Sequence, residues 1–260
     1  MKRTKLKDRI LPDYTKGEEL MNTVTHIVGA VLGVTALVLC ILQAASKGNV
    51  WGVVGASVYG ASMIALYCVS SVYHGMKPGM GKKVMQVIDH CTIYFLIAGT
   101  YTPILLSAIR LVFPGLCWGL LGFVWGLAVI AVVLTAIDLK KYNVFSMACY
   151  VGIGWAVLPF LRQTLQVLTM PGFLLLLFGG IAYTIGAVLY GLGGKRRWMH
   201  SVFHILWYWA AHCSFCPFGC MPYKLQFIGE SKSLPPGEGA PGRTLGRMRV
   251  NQECGQKKSW

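Results

Sequence analysis

Seven ionisable side chains lie inside or at the ends of long apolar runs, where such groups are rare and by default mark functional sites. They are His26, His74, Asp89, His90, His200, His204 and His212. His200 and His204 stand four residues apart, so in a helix their imidazoles lie one turn apart on the same face and can reach a single ion. This spacing indicates a metal-binding helix face.

A third histidine and two oxygen-bearing residues complete a candidate zinc site. We predict His74 as the third nitrogen ligand, because three protein ligands and one open position are typical of catalytic zinc. Asp89 is predicted to hold the water of such a site, as a base or an orienting group. Ser70 precedes His74 by four residues and so lies one turn deeper on the same face. There its hydroxyl could donate to a substrate or support the ligands.

Other interpretations of these residues stay open. A histidine at a helix end is often only an interfacial residue with a satisfied hydrogen bond. Asp89 could instead pair with Lys82 or Lys83 across the neighbouring loop. His26 is interpreted as interfacial or as a support for the ligands. His90 is interpreted as a packing residue, because it points about 100° away from Asp89 on a helix.

Seven apolar runs must position these side chains, each near the roughly 20 residues that cross a bilayer. They are Thr23–Ala45, Val50–Tyr73, Val84–Ile109, Leu111–Ile137, Val144–Leu161, Phe173–Leu192 and Trp198–Phe218. Continuous apolar runs of this length do not alternate as strands do. The pattern therefore predicts an all-α integral membrane protein, a seven-transmembrane helix bundle. Pro103 and Pro159 should kink their helices, and the glycines within the runs should allow close helix packing.

The charges predict the orientation of this bundle. Only 13% of the residues are charged, against about 25% in soluble domains. Fourteen lysines and arginines fall in the N-terminal segment and the even-numbered loops, against three in the odd-numbered loops. The N-terminus and the even loops are therefore predicted to be cytoplasmic, which brings His74, Asp89, His200 and His204 to one cytoplasmic level. Asp138, beside two lysines, is expected to be a solvated loop charge.

The net charge of +15 does not indicate nucleic-acid binding. The basic residues fall in short clusters between apolar runs and do not follow one face of a domain. The expected partners are membrane lipids, with a lipid as the candidate substrate, and the expected location is the plasma membrane as a multi-pass protein. The oligomeric state is not predicted.

Four segments resemble the hemolysin III group, which is related to the progestin and adipoQ receptors. They are EELMNTVTHIVG at Glu18–Gly29, SSVYH at Ser70–His74, DHCTIYFLIAGTYTP at Asp89–Pro103 and HSVFH at His200–His204. Their order and the seven-span layout agree with that group over about residues 15–212. The short N-terminus and compact loops resemble its bacterial branch.

The resemblance implies a seven-helix bundle with its N-terminus inside the cell. It also implies a zinc ion near the cytoplasmic leaflet on His74, His200 and His204, with Asp89 contacting the ion through water and Ser70 beside it. It links the fold to membrane hydrolases that cleave lipid amides. The pattern departs from the family after Phe215, where the apolar helix gives way to a Pro/Gly-rich basic tail. A reading-frame change near Ser214–Phe218 would explain that departure.

Three segments and three functions are expected from these observations. The segments are a basic cytoplasmic N-terminus (1–21), the membrane domain (22–218) and a tail that is disordered or out of frame (219–260). The first function is a zinc-dependent hydrolase of lipid amides or esters. The alternatives are a non-enzymatic receptor-like or stress protein with structural zinc, and a cytolytic factor. A cytolysin that acts from outside needs a soluble state, which this composition does not support.

Overall fold

The computed structural model describes residues 3–192 and 197–219, and these residues form a bundle of α-helices. Its helices are a short 3₁₀ helix Leu6–Asp8, α1 (Lys16–Ser46), α2 (Val50–Gly75), α3 (Met80–Ile104), a π-helix Leu105–Ile109, α4 (Arg110–Val112), α5 (Pro114–Ile137), α6 (Asn143–Gly154), a 3₁₀ helix Leu158–Phe160, α7 (Leu161–Val167), α8 (Met170–Leu192) and α9 (Met199–Gly219). Strands are absent from the described part of the chain. The predicted all-α class is confirmed.

Six stretches of the described chain are long and apolar enough to cross a membrane. They are Lys16–Ser46, Val50–Gly75, Met80–Val112, Pro114–Ile137, Asn143–Val167 and Met170–Gly191. Large apolar side chains cover their outer faces, such as Val31, Phe123 and Phe178, which are 62%, 58% and 59% exposed. Such surfaces are stable only in contact with lipid or another protein. Helix α9 is not among the six, so the seventh span stays a prediction. The predicted tail from residue 220 lies outside the described residues.

The first two long helices form a hairpin whose ends are set by local hydrogen bonds. Thr15 begins α1 with a capping box, in which its hydroxyl accepts the Glu18 N–H and the Glu18 carboxylate accepts the Thr15 N–H. Gly48 adopts a φ of 63° just beyond α1, a left-handed conformation that favours glycine. The Asn49 side chain then accepts the Gly52 N–H at 2.8 Å and begins α2. Only three residues therefore separate two antiparallel helices.

Helix α3 lies at the centre of the bundle and is the most buried of the six candidate spans. It packs against α2, α5, α6 and α9. Gly55 of α2 faces Pro103 so closely that an added Cβ would lie 2.6 Å from the proline Cα. A larger residue there would separate the two helices. Pro103 is followed by the π-helix, which accommodates the missing N–H donor and the proline ring.

The fifth predicted span is not one continuous helix. Helix α6 ends at Gly154, a 3₁₀ helix contains Pro159, and α7 begins at Leu161. A proline in a helix interior removes one hydrogen bond and clashes with the preceding turn, so the chain bends where Pro159 was expected to kink it. At the end of α6, the Tyr101 hydroxyl lies 2.7 Å from the carbonyl oxygens of both Ile153 and Gly154, which share its proton.

The prediction that Asp138 is a solvated loop charge is wrong. Asp138 is fully buried, and one carboxylate oxygen accepts the Thr4 N–H at 2.7 Å while the other accepts the N–H groups of Lys140 and Lys141 at 3.1 Å. Burial raises the pKa of this carboxyl, but these donors stabilise the ionised form and the net pKa is lowered. The neighbouring lysines suggested that Asp138 faces solvent. In the structure, the backbone N–H groups of these lysines bind its carboxylate.

These contacts hold residues 3–15, here called the N-terminal strap, against the helix ends. Arg3 donates to the Ile137 carbonyl at 3.0 Å, and Lys83 donates to the carbonyl of Lys7 at 2.7 Å. Arg9 of the strap is only 8% exposed, and burial lowers the pKa of its guanidinium while the Asp138 carboxylate opposes that shift. The strap thus crosses from the end of α5 to the beginning of α1.

Replacing Asp138 by Ala should release the N-terminal strap. Three backbone N–H groups lose their acceptor, which costs about 1–3 kcal/mol when such groups are buried, and trypsin should then cut at Lys5, Lys7 and Arg9 faster. Because the folded pKa is lowered, the contact stabilises the fold above about pH 3.9 and is lost as the pH falls further. Mass spectrometry of the digests measures this, with Asp13→Ala, an exposed strap carboxylate, as the control. Equal cleavage of both variants would contradict the assignment.

Candidate metal centre

The structure brings the three predicted histidine ligands together. His74 lies in the last turn of α2, and His200 and His204 lie in the first turns of α9. One nitrogen from each ring lies within 4.8 Å of the others. Nε2 of His200 and Nε2 of His204 are 2.8 Å apart, as the four-residue spacing predicts. The cluster therefore joins two helices that are far apart in sequence.

The donor atoms of this cluster fit a metal ion. Zinc–nitrogen bonds of about 2.0–2.1 Å place two tetrahedral ligands about 3.3 Å apart. The His200–His204 separation of 2.8 Å is somewhat shorter, and no separation in the cluster exceeds 4.8 Å. The Nε2 atom of His74 is buried and has no hydrogen-bond partner among the described residues. A buried polar atom without a partner is costly, and an ion at this position would supply the partner. The cluster is thus suited to bind one metal ion.

His74 is held from its other side by a carboxylate. Its Nδ1 lies 2.7 Å from Oε2 of Glu19, which is in the first turn of α1. Lys82 at the beginning of α3 donates to Glu19 Oε1 at 2.5 Å and is itself only 4% exposed. The alternative in which Lys82 or Lys83 pairs with Asp89 does not hold, since Lys82 binds Glu19 and Lys83 binds the Lys7 carbonyl.

Asp89 and Ser70 lie beside the cluster. Both line a cavity of about 30 Å³, together with His26, His200 and His204, and this volume accommodates a water molecule. Asp89 is 7% exposed and Ser70 is 1% exposed. The Ser70 hydroxyl is close enough to the Asp89 carboxyl to interact with it, but it makes no well-formed hydrogen bond among the described residues. A hydroxyl and a carboxyl therefore border the same small space as two of the three histidines.

The other two described histidines have separate roles. His26 is 4% exposed, its Nδ1 lies 2.7 Å from the Asn22 carbonyl, and its ring meets His204 edge-on with centroids 4.3 Å apart. It supports the position of a ligand. His90 binds the Gln86 carbonyl through Nδ1 at 2.8 Å and the Tyr190 hydroxyl through Nε2 at 3.2 Å. Both of its ring nitrogens are thus occupied, which agrees with its interpretation as a packing residue.

The N-terminal strap covers the cluster. The Tyr14 ring stacks on His200 with centroids 4.8 Å apart and an interplanar angle of 19°. Burial raises the pKa of the Tyr14 phenol well above its usual range, so it stays neutral. Glu18, four residues after Tyr14, accepts the Trp198 N–H at 2.6 Å. Trp198 immediately precedes α9. The strap and the first turn of α1 therefore contact the helix that carries two of the histidines.

Sequence reasoning assigned no role to Tyr14, Glu18 or Glu19. The two glutamates stand in a polar stretch before the first apolar run, which was predicted to begin at Thr23, whereas α1 begins at Lys16. The sequence signal that could have identified the two glutamates was their position as adjacent carboxylates at the beginning of a membrane helix. Their partners are His74 and Trp198, which local spacing cannot indicate.

Comparison with known proteins identifies the family of this chain. The family model described as "Haemolysin-III related" matches residues 14–215, which include the whole cluster. The chain belongs to the haemolysin-III family. It is 37% identical to Hemolysin-3 of Bacillus cereus over 188 residues, 72% of this chain and 84% of that protein. It is 35% identical to the Hemolysin-3 homolog of Bacillus subtilis (strain 168) over 191 residues, 74% of this chain and 88% of that protein.

The family extends to a mammalian relative. The chain is 29% identical to the monocyte to macrophage differentiation factor of Homo sapiens over 196 residues, 72% of this chain and 77% of that protein. No solved structure matches the chain. Family membership and the apolar helices together make this a multi-pass membrane protein.

The purified protein should hold about one equivalent of a divalent transition metal, which three imidazoles and an open position favour. His204→Ala should lose it, because two nitrogens rarely suffice for a stable site. His90→Phe is the matched control, since it removes a buried histidine whose nitrogens are already bonded. Mass-spectrometric metal analysis distinguishes them. The assignment is wrong if both variants retain the same metal content.

Proposed function

We propose that this haemolysin-III family member is a zinc-dependent membrane hydrolase that cleaves an amide or ester bond of a lipid. The observation that carries the proposal is the juxtaposition of His74, His200 and His204 with a water-sized cavity bordered by Asp89 and Ser70. Three ligands, a carboxyl and a hydroxyl around an open volume are the parts that metal-assisted hydrolysis needs.

The proposed residues divide the work of hydrolysis. His74, His200 and His204 would hold the ion, which when bound supplies Lewis acidity toward a carbonyl and lowers the pKa of water. Asp89 orients a water molecule in the cavity and accepts its proton. Ser70 donates a hydrogen bond to the substrate carbonyl oxygen. Asp89 then returns the proton to the leaving nitrogen or oxygen, so that water is added across the broken bond.

A larger apolar cavity supports a lipid as the substrate. Its volume is about 280 Å³, and α3, α5, α8 and α9 contribute to its walls. Tyr183 and Trp207 line both this cavity and the small one beside Asp89. An acyl chain in the larger cavity would bring its carbonyl toward the small one. Burial of methylene groups, about 0.8 kcal/mol each, would then contribute to binding.

The proposed location is the plasma membrane, and the proposed topology is seven spans, with α9 as the seventh and the N-terminus in the cytoplasm. This topology is supported by the excess of basic residues in the N-terminal segment and the even loops. In this orientation the zinc site faces the inner leaflet, and the scissile bond of a lipid at headgroup depth would meet it. The proposed segments remain 1–21, 22–218 and 219–260.

A second candidate function is non-enzymatic, with zinc as a structural element. The observation that favours it is that the cluster joins the end of α2 to the beginning of α9. A metal there would hold these helices together whether or not a substrate enters. The two candidates differ in turnover, since only the hydrolase consumes lipid.

A turnover assay distinguishes the hydrolase from the non-enzymatic protein with structural zinc. With a fluorogenic long-chain acyl amide and the corresponding ester in detergent micelles, the zinc-loaded protein should hydrolyse at least one, and His204→Ala should show none. Asp89→Asn should keep the metal and lose at least about 10²-fold in kcat, because general acid–base catalysis contributes that much. Asp8→Asn, an exposed strap residue, is the control. Unchanged turnover in metal-free protein would refute the hydrolase, and absent turnover with metal-dependent thermal stability would favour structural zinc.

The acyl cavity gives a separate prediction. Gly180 lines the cavity, and the nearest atoms to a Cβ there belong to the Trp155 ring, the closest at 3.5 Å. Gly180→Leu should fill the space of about two methylene groups and lower kcat/KM for long-chain substrates on the order of tenfold, while short-chain substrates change little. Gly126→Leu, at a helix position with nothing within 4 Å, is the matched control. An equal loss for both chain lengths would argue against an acyl site.

A further inference from the structure

Glu19 is the acidic residue that contacts the metal cluster most directly, and both of its carboxylate oxygens are occupied. Oε2 lies 2.7 Å from Nδ1 of His74, and Oε1 lies 2.5 Å from Nζ of Lys82. The Glu19 side chain is 20% exposed, His74 is fully enclosed at its side chain and Lys82 is 5% exposed there. Three helices, α1, α2 and α3, therefore meet in one chain of polar contacts.

The contact fixes the state of the His74 ring. A carboxylate only accepts hydrogen bonds, so the proton of the neutral imidazole must be on Nδ1. Nε2 then carries the lone pair, and this atom is buried without a partner. Histidine ligands typically bind a metal through one nitrogen while the other donates to a carboxylate, which sets the tautomer and makes the ligand more basic. Glu19 occupies this position relative to His74.

Lys82 holds the carboxylate in place. Its ammonium group also donates to the Met76 carbonyl at 3.0 Å, in the connection that follows α2. The chain that leaves His74 is thereby bound to the same lysine that binds Glu19. Loss of Lys82 would leave a partly buried carboxylate with one partner and free the end of α2, and breaking such a pair is strongly destabilising when its members are buried.

We propose that Glu19 is a positioning residue of the metal centre, and that Lys82 anchors it, so that together they orient His74 with Nε2 toward the ion. The assignment depends on the metal site of the proposed function and is independent of hydrolysis. It predicts that zinc affinity responds to residues that never touch the ion. Replacing such a partner typically costs 10–100-fold in metal affinity.

The first experiment measures zinc affinity by competition with a fluorescent zinc chelator. Glu19→Ala should bind zinc 10–100-fold more weakly than the unaltered protein, and Lys82→Met should show a smaller loss in the same direction. Glu19→Gln should fall between, because its amide oxygen still accepts from Nδ1. Lys77→Met, an exposed lysine of the same connection, should match the unaltered protein.

A matched destabilised variant separates positioning from general damage to the fold. Gly55→Ala forces α2 and α3 apart at Pro103 and should lower the thermal stability without touching His74. Its zinc affinity should stay unchanged although its Tm falls. If Gly55→Ala loses as much affinity as Glu19→Ala at equal loss of Tm, or if Glu19→Ala binds zinc as the unaltered protein does, the proposal is overturned.

A second readout needs no metal. In metal-free protein with ¹⁵N-labelled histidine, the His74 resonances, identified by their loss in His74→Ala, should report a single tautomer protonated at Nδ1. Glu19→Ala should shift them toward a mixture of tautomers, and a spectrum that Glu19→Ala leaves unchanged overturns the proposal. A protein that binds zinc and shows this shift but hydrolyses no lipid refutes the proposed hydrolysis alone and leaves the role of Glu19 standing, whereas a protein that binds no zinc overturns both.

Discussion

Three imidazole rings share a poorly hydrated space between α2 and α9, and their need for hydrogen-bond or metal partners constrains everything around them. His74 and His204 are only 2% and 9% exposed, so their polar atoms must be satisfied by the protein or by a ligand. Glu19 satisfies one face of His74. The other ring nitrogen, Nε2, faces the cluster, where a metal ion, a proton or another imidazole can bind it. The end of α2 and the beginning of α9 therefore bring the three rings together at one place.

The same principle explains the helix ends that lie against the N-terminal strap. Charges there do not simply face solvent: Lys82 and Asp138 are buried and fully engaged with carboxylate, carbonyl or N–H groups. The N-terminal strap binds Asp138 and Lys83 and so lies across the helix ends, with Tyr14 over His200. The apolar side chains, by contrast, cover the outside of the bundle. The protein is thus polar where its helices begin and end, and apolar where lipid surrounds them.

The sequence predicted most of the helices and the histidine cluster, because apolar run length and the four-residue spacing are local signals. It did not predict Glu19 as a partner of His74, since 55 positions separate them and no local pattern joins them. Asp138 was misinterpreted because neighbouring lysines suggested solvent, whereas its partners are backbone N–H groups. The glycine prediction held at Gly55, which packs against Pro103, but at Gly122 an added Cβ would meet nothing within 4 Å. Run length could not distinguish a buried helix face from a lipid-facing one.

The placement of the three histidines also dictates an order of assembly during synthesis. The first ligand and its carboxylate and lysine partners all lie within the first 82 residues, so that half of the site can form as soon as three helices have inserted. The remaining ligands arrive only with α9, more than a hundred residues later. Until then the nascent chain presents one oriented imidazole, which is too little to retain an ion. For the proposed metal site, capture of an ion is therefore a late event in biogenesis, because it requires that α9 has reached the bundle.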